Sequence, residues 1–180
     1  MRNSALLALA VLLLGGCSWF SPNDASTRTV GTVIDDETIE VTVLRAIHAA
    51  NPALRDAHIN VNSYGGVVLL TGQIGSENEK QIAEQAIKGL RKVDRVHNEL
   101  EIAGPASFLA RQNDTWLTAK VKAQLVADES VNAEHFKVIT ENNAVFLMGR
   151  VTRAESTRAV EIASNVFGVQ RVVTVFELID

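Results

Sequence analysis

The chain has 180 residues, 47% of them hydrophobic and 21% charged, and its 17 Lys and Arg against 21 Asp and Glu give a formal net charge of −4. Charges of both signs are interspersed, which argues against a nucleic-acid partner, because phosphate recognition is built from clustered Lys and Arg. The length suits one ordinary domain or two small ones, and a single cysteine excludes an internal disulfide.

A basic start, Met1-Arg2-Asn3, and an apolar stretch from Ala5 to Leu14 form the n-region and h-region of a secretory signal. The stretch is too short to span a bilayer, which takes about 20 apolar residues. It runs into Leu14-Gly15-Gly16-Cys17, which resembles the bacterial lipobox, where a dedicated peptidase cuts ahead of a lipidated cysteine. An ordinary signal peptide would instead leave an odd thiol in an exported protein, and Ser18-Trp19-Phe20 offers no small-x-small cleavage site. Residues 1–16 are therefore expected to be a lipoprotein signal peptide. Cys17 is expected to carry a diacylglyceryl group and an amide-linked acyl chain such as palmitate, with no other cofactor. Burial of these chains contributes about 0.8 kcal/mol per methylene, enough for stable anchoring. Serine rather than aspartate at position 18 favours the outer membrane over the inner under the sorting rule that the lipobox implies. Residues 17–35, rich in Ser, Thr, Asn, Asp and Pro, read as a flexible tether with a reach on the order of 25 Å.

The remainder is one pattern written twice. Asp36, Ile39, Val43 and Ile47 fall on Asp114, Leu117, Val121 and Leu125 at an offset of 78 residues, the buried stripe of a helix that an aspartate N-cap is expected to open. Two strands follow: Ile59 and Val61 fall on Phe136 and Val138, and Val67 to Ile74 falls on Ala144 to Val151, with Gly72 on Gly149, at an offset of 77. Between the strands, Gly65-Gly66 and Asn142-Asn143 tolerate the positive φ of a tight hairpin. Ser76-x-x-Glu79 and Thr152-x-x-Glu155 are capping boxes that open a second helix, burying Ala83, Ala86 and Leu90 in one copy and Ala159, Ile162 and Val166 in the other. An alternating strand ends each copy, from Val93 to Ile102 and from Val169 to Leu178. The predicted fold class is α+β: two modules in the order helix, strand, strand, helix, strand, each packing two helices on a three-stranded mixed sheet. The first spans residues 36–103 and the second 113–180, and residues 104–112, opened by Gly104-Pro105-Ala106-Ser107, read as a linker.

This pattern resembles the BON domain, through the first-helix aspartate, the strand ending in glycine and the tail Gly168-Val169-Gln170-Arg171-Val172. Thr174 stands where the family often has asparagine. In the first copy Asn98 is present but Lys92 replaces the glycine, which bears on the turn from helix to strand. A lipobox ahead of two such domains is similar to the dual-BON outer-membrane lipoproteins, as are the stretches Val30-Gly31-Thr32-Val33-Ile34-Asp35-Asp36, Asn113-Asp114-Thr115-Trp116-Leu117-Thr118 and Val145-Phe146-Leu147-Met148-Gly149. The resemblance implies a non-catalytic protein on the periplasmic face of the outer membrane. Such a protein supports membrane integrity, and the first helix of its second BON domain binds anionic phospholipid.

The residues speak to that implication on their own. At about 100° per residue, Trp116 points about 140° away from the stripe centred on Val121, and its counterpart in the first copy is Thr38. Ala119, Lys120, Ala123 and Ala127 share its face, with Arg111 just before the helix. An indole beside small residues and a cation suits the headgroup level of a membrane, where the cation meets lipid phosphate. The competing placement packs Trp116 between the modules or against Phe108 and Leu109. A competing function is an adaptor that docks an envelope assembly protein. His58 and His135 occupy equivalent places, one per module, without the further ligands a metal needs. No nucleophile motif or phosphate-binding glycine loop is present in the sequence, so no enzyme activity and no metal are expected.

Overall fold

A computed structural model describes residues 29–179. Helix α1 (Val30–Ala50) and a short helix α2 (Ala53–Asp56) lead into strands β1 (His58–Tyr64) and β2 (Val67–Ile74), helix α3 (Glu77–Ile87), and an edge strand in two pieces, β3 (Arg95–Asn98) and β4 (Glu101–Ile102). The second module repeats this with α4 (Phe108–Ala127), a 3-10 turn (Ala133–His135), β5 (Phe136–Glu141), β6 (Ala144–Val151), α5 (Arg153–Ser164) and β7 (Arg171–Leu178). In each sheet the middle strand pairs antiparallel with the first and parallel with the last. The architecture is α+β, as the repeat predicts.

Both long helices begin earlier than expected. Thr29 caps α1, its side chain accepting from Thr32 N, and Ser107 caps α4, accepting from Ala110 N. The residues assigned to the end of the tether, 30–35, and to the end of the linker, 108–112, are therefore helical. The apolar stripe stops at Asp36 and Asp114, so periodicity gave no sign of the extra turn. These two aspartates are not caps. Asp36 is buried and accepts hydrogen bonds from Ser63 Oγ (2.7 Å), Gly65 N (3.0 Å) and Gly66 N (3.3 Å). Asp114, also buried, accepts from Asn142 N (2.8 Å) and Asn143 N (2.9 Å). Each carboxylate thus satisfies the free amides of a two-residue hairpin whose residues all have positive φ, and so ties the hairpin to the helix.

Two further expectations are refined. Thr152 and Glu155 form a complete capping box, whereas Glu79 reaches back to Gly75 N (2.8 Å) while Ser76 caps Glu79 N. In α3 the deeply buried pair is Ala83 and Ile87, with Ala86 partly buried; Leu90 lies beyond the helix end and is also partly buried. Lys92 adopts φ 71°, the same left-handed region as its counterpart Gly168 at 103°, so the turn is kept in both copies.

The modules are not beads on a linker. On β2, Val68, Leu70 and Ile74 face the helices of the first module, while Val67 and Leu69 face the other way. On β6, Val145, Leu147 and Val151 join the helices of the second module, while Ala144, Phe146 and Met148 face away. These outward residues meet, with Tyr64 and Val175, in a third core that stacks one sheet on the other and leaves helices on the two outer faces. Each large side chain buried there contributes about 1.5–3 kcal/mol, enough to hold the modules docked. Polar contacts fix the stacking: Tyr64 Oη donates to His135 O (3.0 Å), Asn60 Nδ2 to Glu141 Oε2 (2.9 Å), and Lys137 Nζ to Glu40 Oε1 (2.6 Å). Tyr64 at the end of β1 thus lies near the start of β5, and Asn60 near its end. The strands run in opposite directions, and the two hairpins lie at opposite ends of the stack.

Candidate functional site

Helix α4 buries Asp114, Leu117, Val121 and Leu125 against its own sheet. On the opposite side, Leu109, Trp116, Ala123 and Ala127 fall within about 20° of one line, over roughly 27 Å of helix. All four are exposed, Trp116 at 60% and Leu109 at 74%. Phe108, at 65%, is likewise uncovered, so neither it nor Leu109 shelters the indole and neither does the first module. Lys120 lies one turn on, its Nζ 5.1 Å from the centre of the Trp116 ring. That contact holds the ammonium and the indole together at one point of the surface. Ala119 is exposed beside them.

Arg111 does not join this group. It lies within the helix, about 140° around the axis from Trp116, and its Nη1 donates to Ala106 O (3.2 Å) beside a surface dip that it shares with His58, Asn60 and Thr118.

A groove of about 560 Å³ continues the Trp116 face, running between α4 and α5. Its floor is Ala123, Ala127, Ile162 and Val166, and its rim carries Lys120, Asp128, Arg158 and Phe167. Arg158 is not an open cation. It holds Asp128 and Glu161, each at 2.7 Å, and with Ser130 it draws the Asp128 carboxyl down to about 2. Lys120 has no carboxylate partner among the described residues, so it is the cation this face presents. Phe167, missed from the sequence, sits in the turn after α5 at 91% exposure. Its signal was a large aromatic beside a turn glycine, next to the second module's family tail.

The remaining candidates take structural places. His135 is buried, with Nδ1 3.0 Å from Glu155 Oε1. Burial pushes the Glu155 carboxyl up, but hydrogen bonds from the Thr152 amide and hydroxyl and from His135 outweigh it, and the net shift is down. His58 Nε2 lies 3.6 Å from Glu141 at the sheet-to-sheet contact. Among the described residues no three metal-ligating side chains cluster, and no helix is long and apolar enough to cross a membrane. Cys17 lies outside the described residues.

The BON domain model matches residues 35–104 and again 113–180. The chain is 38% identical over 188 residues to the outer membrane lipoprotein DolP of Haemophilus influenzae, covering 100% of this chain and 97% of that protein. It is 34% identical over 152 residues to a 21 kDa hemolysin of Actinobacillus pleuropneumoniae, covering 84% of this chain and 78% of that one. It is also 34% identical over 152 residues to osmotically-inducible protein Y of Escherichia coli, with 83% and 75% covered.

Proposed function

The chain belongs to the BON-domain family, and on that premise we propose that it is a lipoprotein of the outer membrane, held by Cys17 at the periplasmic face, whose second module lays α4 on anionic phospholipid. The carrying observation is the pairing of an exposed Trp116 with Lys120 on a helix face that no other described residue covers. An indole at headgroup depth gains from its amphipathic ring, and a neighbouring ammonium gains from lipid phosphate, about 1 kcal/mol per near-surface cation. The acyl anchor makes this second contact effectively intramolecular, so a weak affinity is enough to orient the protein on the leaflet. Support of outer-membrane integrity follows as a non-catalytic role: two rigidly stacked modules held flat against the lipid.

Co-sedimentation of the unacylated mature chain with vesicles tests the reading. Binding that requires phosphatidylglycerol in a phosphatidylcholine vesicle supports it. No binding to either vesicle favours the adaptor, in which the same face docks an envelope assembly protein.

A further inference from the structure

The two modules offer an internal comparison. In the first module a surface dip between α1 and the turn after α3 is lined by Thr38, Thr42, Leu90 and Arg91. Their counterparts in the second are Trp116, Lys120, Val166 and Phe167. At two of these positions the copies differ in kind, Thr38 against Trp116 on the helix and Arg91 against Phe167 on the turn, polar in the first and aromatic in the second.

The turn is fixed against the helix at that place. Gly168 has φ +103°, and a Cβ built on it would lie 2.9 Å from Leu117 Cδ2, so the chain presses onto α4 at Leu117, the residue after Trp116. Phe167 precedes the contacting glycine and Trp116 precedes the contacting leucine. Phe167 also shares the groove with Lys120, Ala123 and Ala127, all residues of the Trp116 face. A ring that is 91% exposed on a turn buttressed this closely makes no contribution to the core. In water it is a cost, and in the acyl boundary of a leaflet it is a gain.

We infer that Phe167 is a second insertion point, which enters the same leaflet as Trp116 and makes the lipid contact a platform of α4 and the turn after α5 rather than a single helix face. This rests on the reading of α4 as the lipid-facing helix. The occupant is a lipid surface because the groove floor is apolar, the presented cation is Lys120, and the acyl anchor at the chain's start brings a leaflet within reach. With Trp116 on α4 and Phe167 on the turn after α5 as two points of entry, the module cannot roll about the α4 axis, so its orientation on the membrane is set.

All residues of the three cores lie between Ile39 and Phe176, so the mature chain with Cys17→Ser keeps its fold and reports the face without the anchor. Phe167→Ser should leave the melting temperature unchanged and weaken partition into phosphatidylcholine vesicles with phosphatidylglycerol roughly tenfold. The loss should persist at high salt, unlike that of Lys120→Gln. Phe167→Trp, in a chain whose Trp19 and Trp116 are replaced by Phe, should be quenched by brominated acyl chains. If Phe167→Ser binds as the parent does while Trp116→Glu loses binding, Phe167 stays in water and the inference fails while the α4 reading stands. If neither change alters binding, the α4 reading itself fails. If Phe167→Ser instead dissociates a dimer and leaves vesicle binding intact, the ring covers a second copy and the inference is overturned.

Discussion

Gln73 and Glu141 meet between the two stacked sheets, Nε2 donating to Oε1 at 2.7 Å, and both residues are buried. The second carboxylate oxygen accepts from Asn60 Nδ2, so a charged group of one module is held by amides of the other. Glu141→Ala should therefore destabilise the chain by about 1–3 kcal/mol, because it leaves the buried Gln73 amide without its acceptor and the half-buried Asn60 amide with only His58 Nε2, at 3.2 Å. Amide exchange should rise in β2 as well as in β5. Faster exchange confined to the second module would show that the sheets are not energetically coupled.

Trp116→Glu should change stability by no more than about 0.5 kcal/mol, since the ring lies off the Leu117, Val121 and Leu125 stripe. The same change should strip binding to anionic vesicles by placing a carboxylate where the headgroups approach. Lys120→Glu should weaken binding less, and its effect should fade as salt is added. A melting scan beside co-sedimentation separates these outcomes; a large drop in melting temperature with intact binding would assign Trp116 to packing.

Lys92→Gly should stabilise the first module by about 0.5–1 kcal/mol, because lysine stands there with φ 71° and a side chain disfavours that region. The exposed ion pair of Lys92 with Asp35, at 2.7 Å, offsets little of this. Urea denaturation measures the difference.

Burial lowers the pKa of His97 from 6.5, with Arg95 adding to the effect and Glu99 opposing it. The folded chain thus prefers the neutral imidazole, while the unfolded chain takes up a proton below about pH 6.5. Stability should be full above that pH and decline as pH falls toward the folded value. His97→Gln should flatten the melting temperature between about pH 7 and 5. Glu155, whose pKa is lowered from 4.5, should give a separate loss only below that value.

Cys17→Ala should abolish incorporation of a labelled fatty acid while leaving the circular dichroism of the folded region unchanged. Labelling of the variant would overturn the anchor assignment.

The repeat made the fold legible: the stripes from Ile39 to Ile47 and from Leu117 to Leu125 and the hairpin pairs are where the offsets place them. The helix starts were not, because the turns preceding Asp36 and Asp114 are exposed and carry no stripe. The aspartates looked like caps because a cap and a hairpin clamp use the same residue type. Docking of the sheets left a mark that periodicity alone could not assign. Val67 to Leu70 and Ala144 to Met148 do not alternate, since both faces of those strands are covered. At the candidate site, Trp116 and Lys120 were readable from the helical wheel. Arg111 was misplaced by the late helix start, and Phe167 was hidden because its neighbourhood is built by a turn folding back across the chain.

Back-to-back stacking of a duplicated unit has a consequence for how the protein stands in the envelope. Identical halves would offer the same surface upward and downward, and a flat boundary could be gripped from either side. Here the outer face of one half carries Trp116 and Phe167, and the equivalent positions of the other half carry Thr38 and Arg91. The stack therefore has a top and a bottom, and on the function proposed for α4 it would turn an anchor that fixes only position into one that also fixes which way up the molecule rests.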